Sequence, residues 1–436
     1  MNQLFKKTLL VLCCSSALFI TACNDSDNDH DNFVAPEKFF VSELPYKFDK
    51  PEGASADPIQ VMTYNMTNVQ GKKATATAMV IFPQTAQPQD GYRVVVWEHG
   101  TLGNADNCAP TNNIQGARFK DPLAKSLLEA GYVIVAPDYE GMGTKGIHPY
   151  LHLESEAKSA IYAVKAAQER YGSKLNKQWM SAGQSQGGQA SLGTAEFANS
   201  DVNYKGAVAG APASSLDTII FKVAPAALKQ AEALEIAAGK TLAERATAGS
   251  IGAYATLLSY AAFAGVGIKA VDPSFEYRDI FLDQRSKLIA EKAEGSTGEN
   301  GLCLDSPDAK NLPEQSIRYL FTMDIVKFLT ENPGKSVLDY PGLDEVKFYQ
   351  LPQIAQFIKN SQPGTKKLDK PVLIIQGTAD MSVPYPVTEA LVKKLKDDLK
   401  SPDITFLPVK DASHTAAIVQ KNPELLAFIQ KHMPAK

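Results

Sequence analysis

Residues 178 to 190 read Gln178-Trp179-Met180-Ser181-Ala182-Gly183-Gln184-Ser185-Gln186-Gly187-Gly188-Gln189-Ala190, an apolar run that enters Gly-x-Ser-x-Gly and leaves as a small-residue helix. The pattern predicts a nucleophile elbow, a strained strand-to-helix turn with a serine at its apex. Gly183 and Gly187, two before and two after the serine, allow the backbone to double back closely. Such a turn lifts Ser185 Oγ above the sheet and leaves the amide of Gln186 at a helix N-terminus, where developing negative charge is stabilised. A glycine-rich loop around an ordinary serine produces the same five letters by chance, so the setting decides. Here a strand precedes the motif and a helix-forming segment from Gln189 to Asn199 follows it.

Outward from the elbow, strand alternates with helix. Arg93 to Trp97 is a buried strand running into Glu98-His99-Gly100-Thr101-Leu102-Gly103, and Tyr132 to Ala136 is another running into Pro137-Asp138-Tyr139-Glu140-Gly141-Met142-Gly143. Residues 60 to 82 alternate through Val61, Thr63 and Asn65 and end at Pro83, as an opening hairpin. Pro122 to Ala130 is helical, and Ala157, Ile161, Val164 and Tyr171 mark an amphipathic helix that stops at Gly172. After the elbow come Tyr204 to Ala209, then Lys370 to Gln376, the helix Val387 to Leu399, the strand Ile404 to Pro408 and the helix Pro423 to His432. This order predicts an α/β fold, a mostly parallel sheet with helices on both faces and ligands above the carboxyl ends of the strands. The alternation breaks between residues 216 and 340, which are Ala-rich and helical without a clear strand, as in an inserted helical cap. The expected organisation is a core in two parts, 41–215 and 341–436, around a cap or lid at 216–340.

Within the cap, Ala246 to Ile268 is uncharged and long enough to span a bilayer. Six glycines and serines lower its hydrophobicity, and a span there would split the core, so helices lining an apolar pocket are the expectation. Ile251, Tyr254, Leu257, Leu258, Tyr260 and Phe263 would shape that pocket, with Ala262 and Gly265 leaving room for a chain.

The 436 residues are 44% hydrophobic and 21% charged with a net charge of −4, an ordinary globular composition without the basic patch that nucleic acid requires. Six scattered histidines suggest no metal cluster, and no cofactor is implied. Lys6-Lys7 precede the apolar run Thr8 to Ile20, which ends in Ile20-Thr21-Ala22-Cys23, so residues 1–22 read as a signal peptide. The ending resembles a bacterial lipobox. By that resemblance Cys23 is lipidated and residues 23–40 form a polar tether, placing the protein in a bacterial cell envelope, on the periplasmic face or cell surface. A plain signal peptide cut after Ala22 would export it without the anchor. With the signal peptide and Cys23 set aside, Cys108 and Cys303 are most simply one disulfide of an oxidising compartment.

A serine hydroxyl needs an imidazole to take its proton, and the imidazole needs a carboxylate to fix its tautomer. Gly377-Thr378-Ala379-Asp380 follows a late strand and Asp411-Ala412-Ser413-His414 follows the last one, giving Ser185, Asp380 and His414 as candidates. Asp411 is a weaker rival for the acid, since a carboxylate three residues away on the same loop rarely reaches the imidazole from the required side. His432 sits in the terminal helix, His148 and His152 read as a loop and helix-start pair, and Asp138 as a turn former.

Several motifs together resemble the secretory lipase family of α/β-hydrolases: His99-Gly100-Thr101-x-Gly103, Asn107-Cys108-Ala109-Pro110, Pro137-Asp138-Tyr139-Glu140-Gly141-x-Gly143, His148-Pro149-Tyr150, Gly183-Gln184-Ser185-Gln186-Gly187-Gly188 and Gly377-Thr378-x-Asp380. The likeness runs over roughly residues 60 to 430 and is loose between 216 and 340. It implies a capped α/β-hydrolase acting on carboxylic esters, and Cys108 corresponds to a half-cystine of the family. By position, Thr101 would supply a second oxyanion-hole amide beside Gln186, since two donors aimed at one oxygen are needed. The reading that results is an exported lipoprotein ester hydrolase with an acyl-enzyme on Ser185, a small-molecule ester or lipid as substrate, and membrane contact through its anchor. A peptidase or acyltransferase on the same fold, or a binding lipoprotein without activity, are the alternatives.

Overall fold

A computed structural model describes residues 36–113, 119–306 and 313–436. The signal peptide at 1–22, the lipidation candidate Cys23 and the tether as far as residue 35 lie outside the described residues.

Among the described residues nine strands form one sheet: β1 (Phe40–Pro45), β2 (Gln60–Thr67), β3 (Lys73–Ile81), β4 (Tyr92–Glu98), β5 (Val133–Pro137), β6 (Leu175–Gln184), β7 (Tyr204–Gly210), β8 (Val372–Gly377) and β9 (Ile404–Val409). Their order across the sheet is β1-β2-β3-β5-β4-β6-β7-β8-β9. The first three pair antiparallel and β3 meets β5 antiparallel. From β5 to β9 every pairing is parallel. The carboxyl ends of β4, β6, β8 and β9 therefore lie along one edge, and the chain just beyond them carries Thr101, Ser185, Gln186, Asp380 and His414.

Side chains alternate between two covered faces. On β4, Val94 and Val96 enter the core beneath the helices Leu153–Tyr171 and Gln186–Phe197, while Val95 and Trp97 enter the opposite one with Leu127, Leu128, Phe428 and Ile429. A parallel strand buried on both faces reads as a continuous apolar run, which is why Arg93 to Trp97 was legible. In β2 it is Met62, Tyr64 and Met66 that are buried, with the alternate set Val61, Thr63 and Asn65 half-buried. Residues 36–40 of the expected tether are partly engaged, because the Phe39 and Phe40 amides donate to Glu169 Oε2 at 2.8 and 3.2 Å.

Between β7 and β8 the described chain carries helices from Leu216 as far as Asn360, with irregular stretches between them, including Ala224–Ala237, Leu242–Ala248, Ser250–Val271, Gln284–Glu291, Ile317–Glu331, Glu345–Gln350 and Pro352–Asn360. The last two fall beyond residue 340, where the sequence gives no strong boundary. These helices have a core of their own around Leu258, Ala262, Phe263, Phe281 and Phe321. Ser250–Val271 is long and apolar enough to cross a membrane, yet most of its apolar window is buried against neighbouring helices. Arg245 pairs with Glu232 and, at 3.4 Å, with Glu235, a buried ionic cluster joining two of the helices. Glu235 also accepts from the Ser250 amide at 2.9 Å and from its hydroxyl at 2.6 Å, closing the start of the long helix.

Candidate active site

β6 ends at Gln184 and the helix begins at Gln186, leaving Ser185 at φ 63° and ψ −119°, the strained apex that the motif predicts. A Cβ at position 187 would lie 1.8 Å from the Glu98 carbonyl oxygen, so the elbow helix can pass the end of β4 only if that residue is glycine.

The loops after β8 and β9 are laced together. Ala379 N–H donates to the Ala412 carbonyl at 3.1 Å, Thr378 N–H to Val409 O at 2.9 Å, and Asp411 N–H to Thr378 Oγ1 at 2.8 Å. A Cβ on Gly377 would lie 2.2 Å from the Ala412 oxygen, so this lacing also depends on a glycine. The lacing brings Asp380 and His414 together, with His414 Nδ1 2.8 Å from Asp380 Oδ2 and His414 Nε2 2.8 Å from Ser185 Oγ. A carboxylate can only accept, so Nδ1 carries the proton and Nε2 is left to accept from the serine hydroxyl. Gln184 Nε2 donates to the His414 carbonyl at 3.0 Å, tying the histidine loop back to the elbow strand.

Asp380 is held from all sides. Its Oδ1 accepts from the Ser382 and Val383 amides at 2.8 and 2.9 Å, and its Oδ2 accepts from Gln376 Nε2 at 2.9 Å besides the histidine. Gln376 is fixed in turn by Thr388 Oγ1, which donates to its Oε1 at 2.7 Å. A polar residue closing the apolar strand β8 was the visible signal for Gln376. Asp411 is exposed, at φ 57°, and it is Asp380 that His414 Nδ1 meets. Asp138 is a buried turn former: its carboxyl accepts from the Thr77 hydroxyl and from the Thr111 amide and hydroxyl, and burial pushes it up to about 7.

Thr101 follows β4 in an irregular loop, and its hydroxyl lies 2.7 Å from Tyr150 Oη. A Cβ on the neighbouring Gly100 would come 3.5 Å from Ser185 Cβ, which puts this loop beside the serine. Gln186 opens the elbow helix, and a first-turn amide has no partner within its own helix. Cys108 and Cys303 are bonded, their Cα atoms 5.5 Å apart, joining the loop after β4 to the chain that leads into Ile317–Glu331. His152 caps Leu153–Tyr171 by accepting from the Ser155 amide at 3.3 Å, and His148 is buried behind the elbow. His432 lies in the terminal helix Asn422–His432, its ring centroid 4.6 Å from that of Phe428.

Ser185 and Gln186 open onto an apolar cavity of about 70 Å³. The long helix contributes Leu257, Tyr260, Ala261, Ala264, Gly265 and Ile268, a stripe at helical spacing. Of the expected lining, Leu257, Tyr260 and Gly265 reach it; Ile251, Leu258, Ala262 and Phe263 point into the cap core instead, because they lie on the other side of the same helix, and Tyr254 packs against that core. Ser382 borders this cavity and also an open cleft of about 1170 Å³, which Met381 and Ser413 flank.

The fold is that of the α/β-hydrolases, and esterases and lipases of known structure resemble it over most of their length. The model of the secretory lipase family matches residues 114–239, so the likeness is one of sequence as well as of fold. The rice cell wall degrading esterase LipA from Xanthomonas oryzae is 19% identical, over 91% of this chain and 98% of that one, with a TM-score of 0.62. Candida antarctica lipase A in its closed state is 18% identical, over 93% of this chain and 85% of that one, with a TM-score of 0.59. Compared by sequence with curated proteins, the chain matches none. Together the family match and the fold support a lipase- or esterase-like hydrolase.

Proposed function

We propose that the protein is an exported serine ester hydrolase in which Ser185 is the nucleophile, His414 the base and Asp380 the acid that orients it. The observation that carries the reading is the continuous line from Asp380 through His414 to Ser185, 2.8 Å at each step, ending at the mouth of an apolar cavity. Ser185 Oγ attacks the ester carbonyl carbon while its proton passes to His414 Nε2. The carbonyl oxygen becomes an oxyanion, stabilised by the amides of Thr101 and Gln186. Collapse breaks the bond to the alcohol, which leaves with the proton from His414, and the acyl group stays on Ser185. Water then repeats the sequence, giving up a proton to His414 and releasing the acid.

The apolar cavity suits an acyl chain, and the open cleft beyond Ser382 suits the leaving alcohol. That asymmetry favours an ester with an apolar acyl group over a peptide. The secretory character of the family fits export, and residues 1–23 supply the case for a lipid anchor at Cys23. A fluorophosphonate probe and p-nitrophenyl esters of graded length, run beside an aminoacyl-nitroanilide, test the activity. Labelling of Ser185 with hydrolysis of the esters is expected; amide cleavage without ester cleavage would overturn the reading. Mass spectrometry of the mature N-terminus tests the anchor, with a lipid-modified Cys23 expected and an unmodified residue counting against it.

A further inference from the structure

The elbow and the loop after β4 supply the two amides of the proposed oxyanion hole, and neither amide is fixed by a sheet ladder. Thr101 lies in irregular chain past the end of β4, while Gln186 sits at the first position of a helix after a strained residue. Both carry side chains that enter one buried network, and that network converges on the short segment between β5 and the helix Leu153–Tyr171.

On one side, Tyr150 Oη and Thr101 Oγ1 are 2.7 Å apart and buried. On the other, both hydrogens of the Gln186 amide are used: Nε2 is 3.0 Å from His148 Nε2 and 2.7 Å from Glu156 Oε1. His148 Nδ1 is 2.9 Å from the Glu140 carbonyl, an obligate acceptor, so Nδ1 carries the proton and Nε2 accepts. The two sides meet at Leu151, whose amide donates to Glu156 Oε1 at 3.0 Å and whose carbonyl accepts from Gln189 Nε2 at 3.0 Å. Leu151 is held at φ 60°, a left-handed conformation that a branched apolar side chain adopts only when its surroundings enforce it.

We propose that Tyr150, His148 and Glu156 are positioning residues that set the separation and aim of the two oxyanion-hole amides, Tyr150 through the Thr101 side chain and the other two through the Gln186 side chain. The inference rests on the ester-hydrolase reading and on Thr101 and Gln186 as donors. The network is buried throughout, so each of its hydrogen bonds is stronger than it would be in water. It is also free of charge near neutral pH, since burial holds His148 at about 3 and pushes Glu156 up to about 8. A neutral brace does not oppose the negative charge that forms beside it.

The test uses an alkyl trifluoromethyl ketone, which a reactive serine converts to a tetrahedral adduct bearing an oxyanion. Tyr150→Phe removes one hydroxyl and keeps the ring. It should lower kcat and adduct affinity together by about 10- to 100-fold, with KM and Tm near wild type, because a misaimed donor is felt only when charge develops. Glu156→Leu should do the same, and Glu156→Gln, which keeps the accepting oxygen, should restore wild-type behaviour. Should Glu156→Leu fail to fold, Tyr150→Phe decides alone. If the wild type forms the adduct and both variants bind it equally well, the brace is overturned while the hydrolase stands. A wild type that forms no adduct removes both.

Discussion

Ser185, His414 and Asp380 come from the ends of three strands, and each is fixed by contacts that a substitution can break singly. Ser185→Ala should abolish fluorophosphonate labelling and lower ester turnover by several orders of magnitude without unfolding the protein, since the remaining pair has nothing to activate. Asp380→Asn should cost on the order of 10⁴ in kcat by favouring the wrong tautomer of His414, while Asp411→Asn changes little. The reverse ranking would transfer the acid to Asp411. These residues were legible because order along the chain and position after a strand restrict the choice severely. The residues proposed to brace the oxyanion-hole amides were not: nothing local to His148 or Glu156 says that they meet Gln186, a residue about thirty positions away from Glu156. Glu156 offers its own measurement. Its folded value, raised by burial to about 8 from an ordinary 4.5, means that the native state retains a proton which the unfolded chain has lost. Its contribution is therefore complete below about pH 4.5 and is lost as pH rises toward 8. Denaturant titrations at pH 5 and 8.5 should show a smaller alkaline loss in Glu156→Gln than in the wild type; equal losses would show that the group does not titrate this way.

At the scale of one element, the helix Ser250–Val271 does two jobs on two faces. Its apolar composition was plain in the sequence, but an almost uniformly apolar helix has no amphipathic stripe from which to read the direction of each side. Only packing separates the residues that line the cavity from those that fill the cap core. Ala264 lines the cavity, whereas Ala262 is fully buried among the cap helices. Ala264→Trp should therefore shift the kcat/KM profile of p-nitrophenyl esters toward shorter acyl groups, each excluded methylene forfeiting about 0.8 kcal/mol. Ala262→Trp should instead lower Tm by overpacking and leave the profile of the surviving enzyme unchanged. A length profile unaffected in Ala264→Trp would place the acyl group elsewhere. The buried Glu232, Glu235 and Arg245 were equally hidden, since charged residues on Ala-rich helices read as solvated until neighbouring helices cover them.

Across the whole molecule, the parallel half of the sheet was written in its apolar runs, and the extent of the cap less sharply, because helices at Glu345–Gln350 and Pro352–Asn360 lack a distinctive start. The pairing of Cys108 with Cys303 followed from counting, and the structure adds where it acts. Thiol titration of denatured, unreduced mature protein should find neither cysteine reactive, and Cys303→Ser should lower stability by about 5 kcal/mol in the chain-entropy description. Two reactive thiols would refute the bond. That bond also closes a covalent ring of chain that contains the elbow and most of the cap but neither Asp380 nor His414. An exported protein meets proteases, and a single cut inside this ring releases no fragment: the nicked polypeptide stays one molecule, with the serine and its pocket wall still tethered on both sides of the break. A cut between residues 303 and 380 has the opposite result, severing the serine from its base with no covalent link to hold them together.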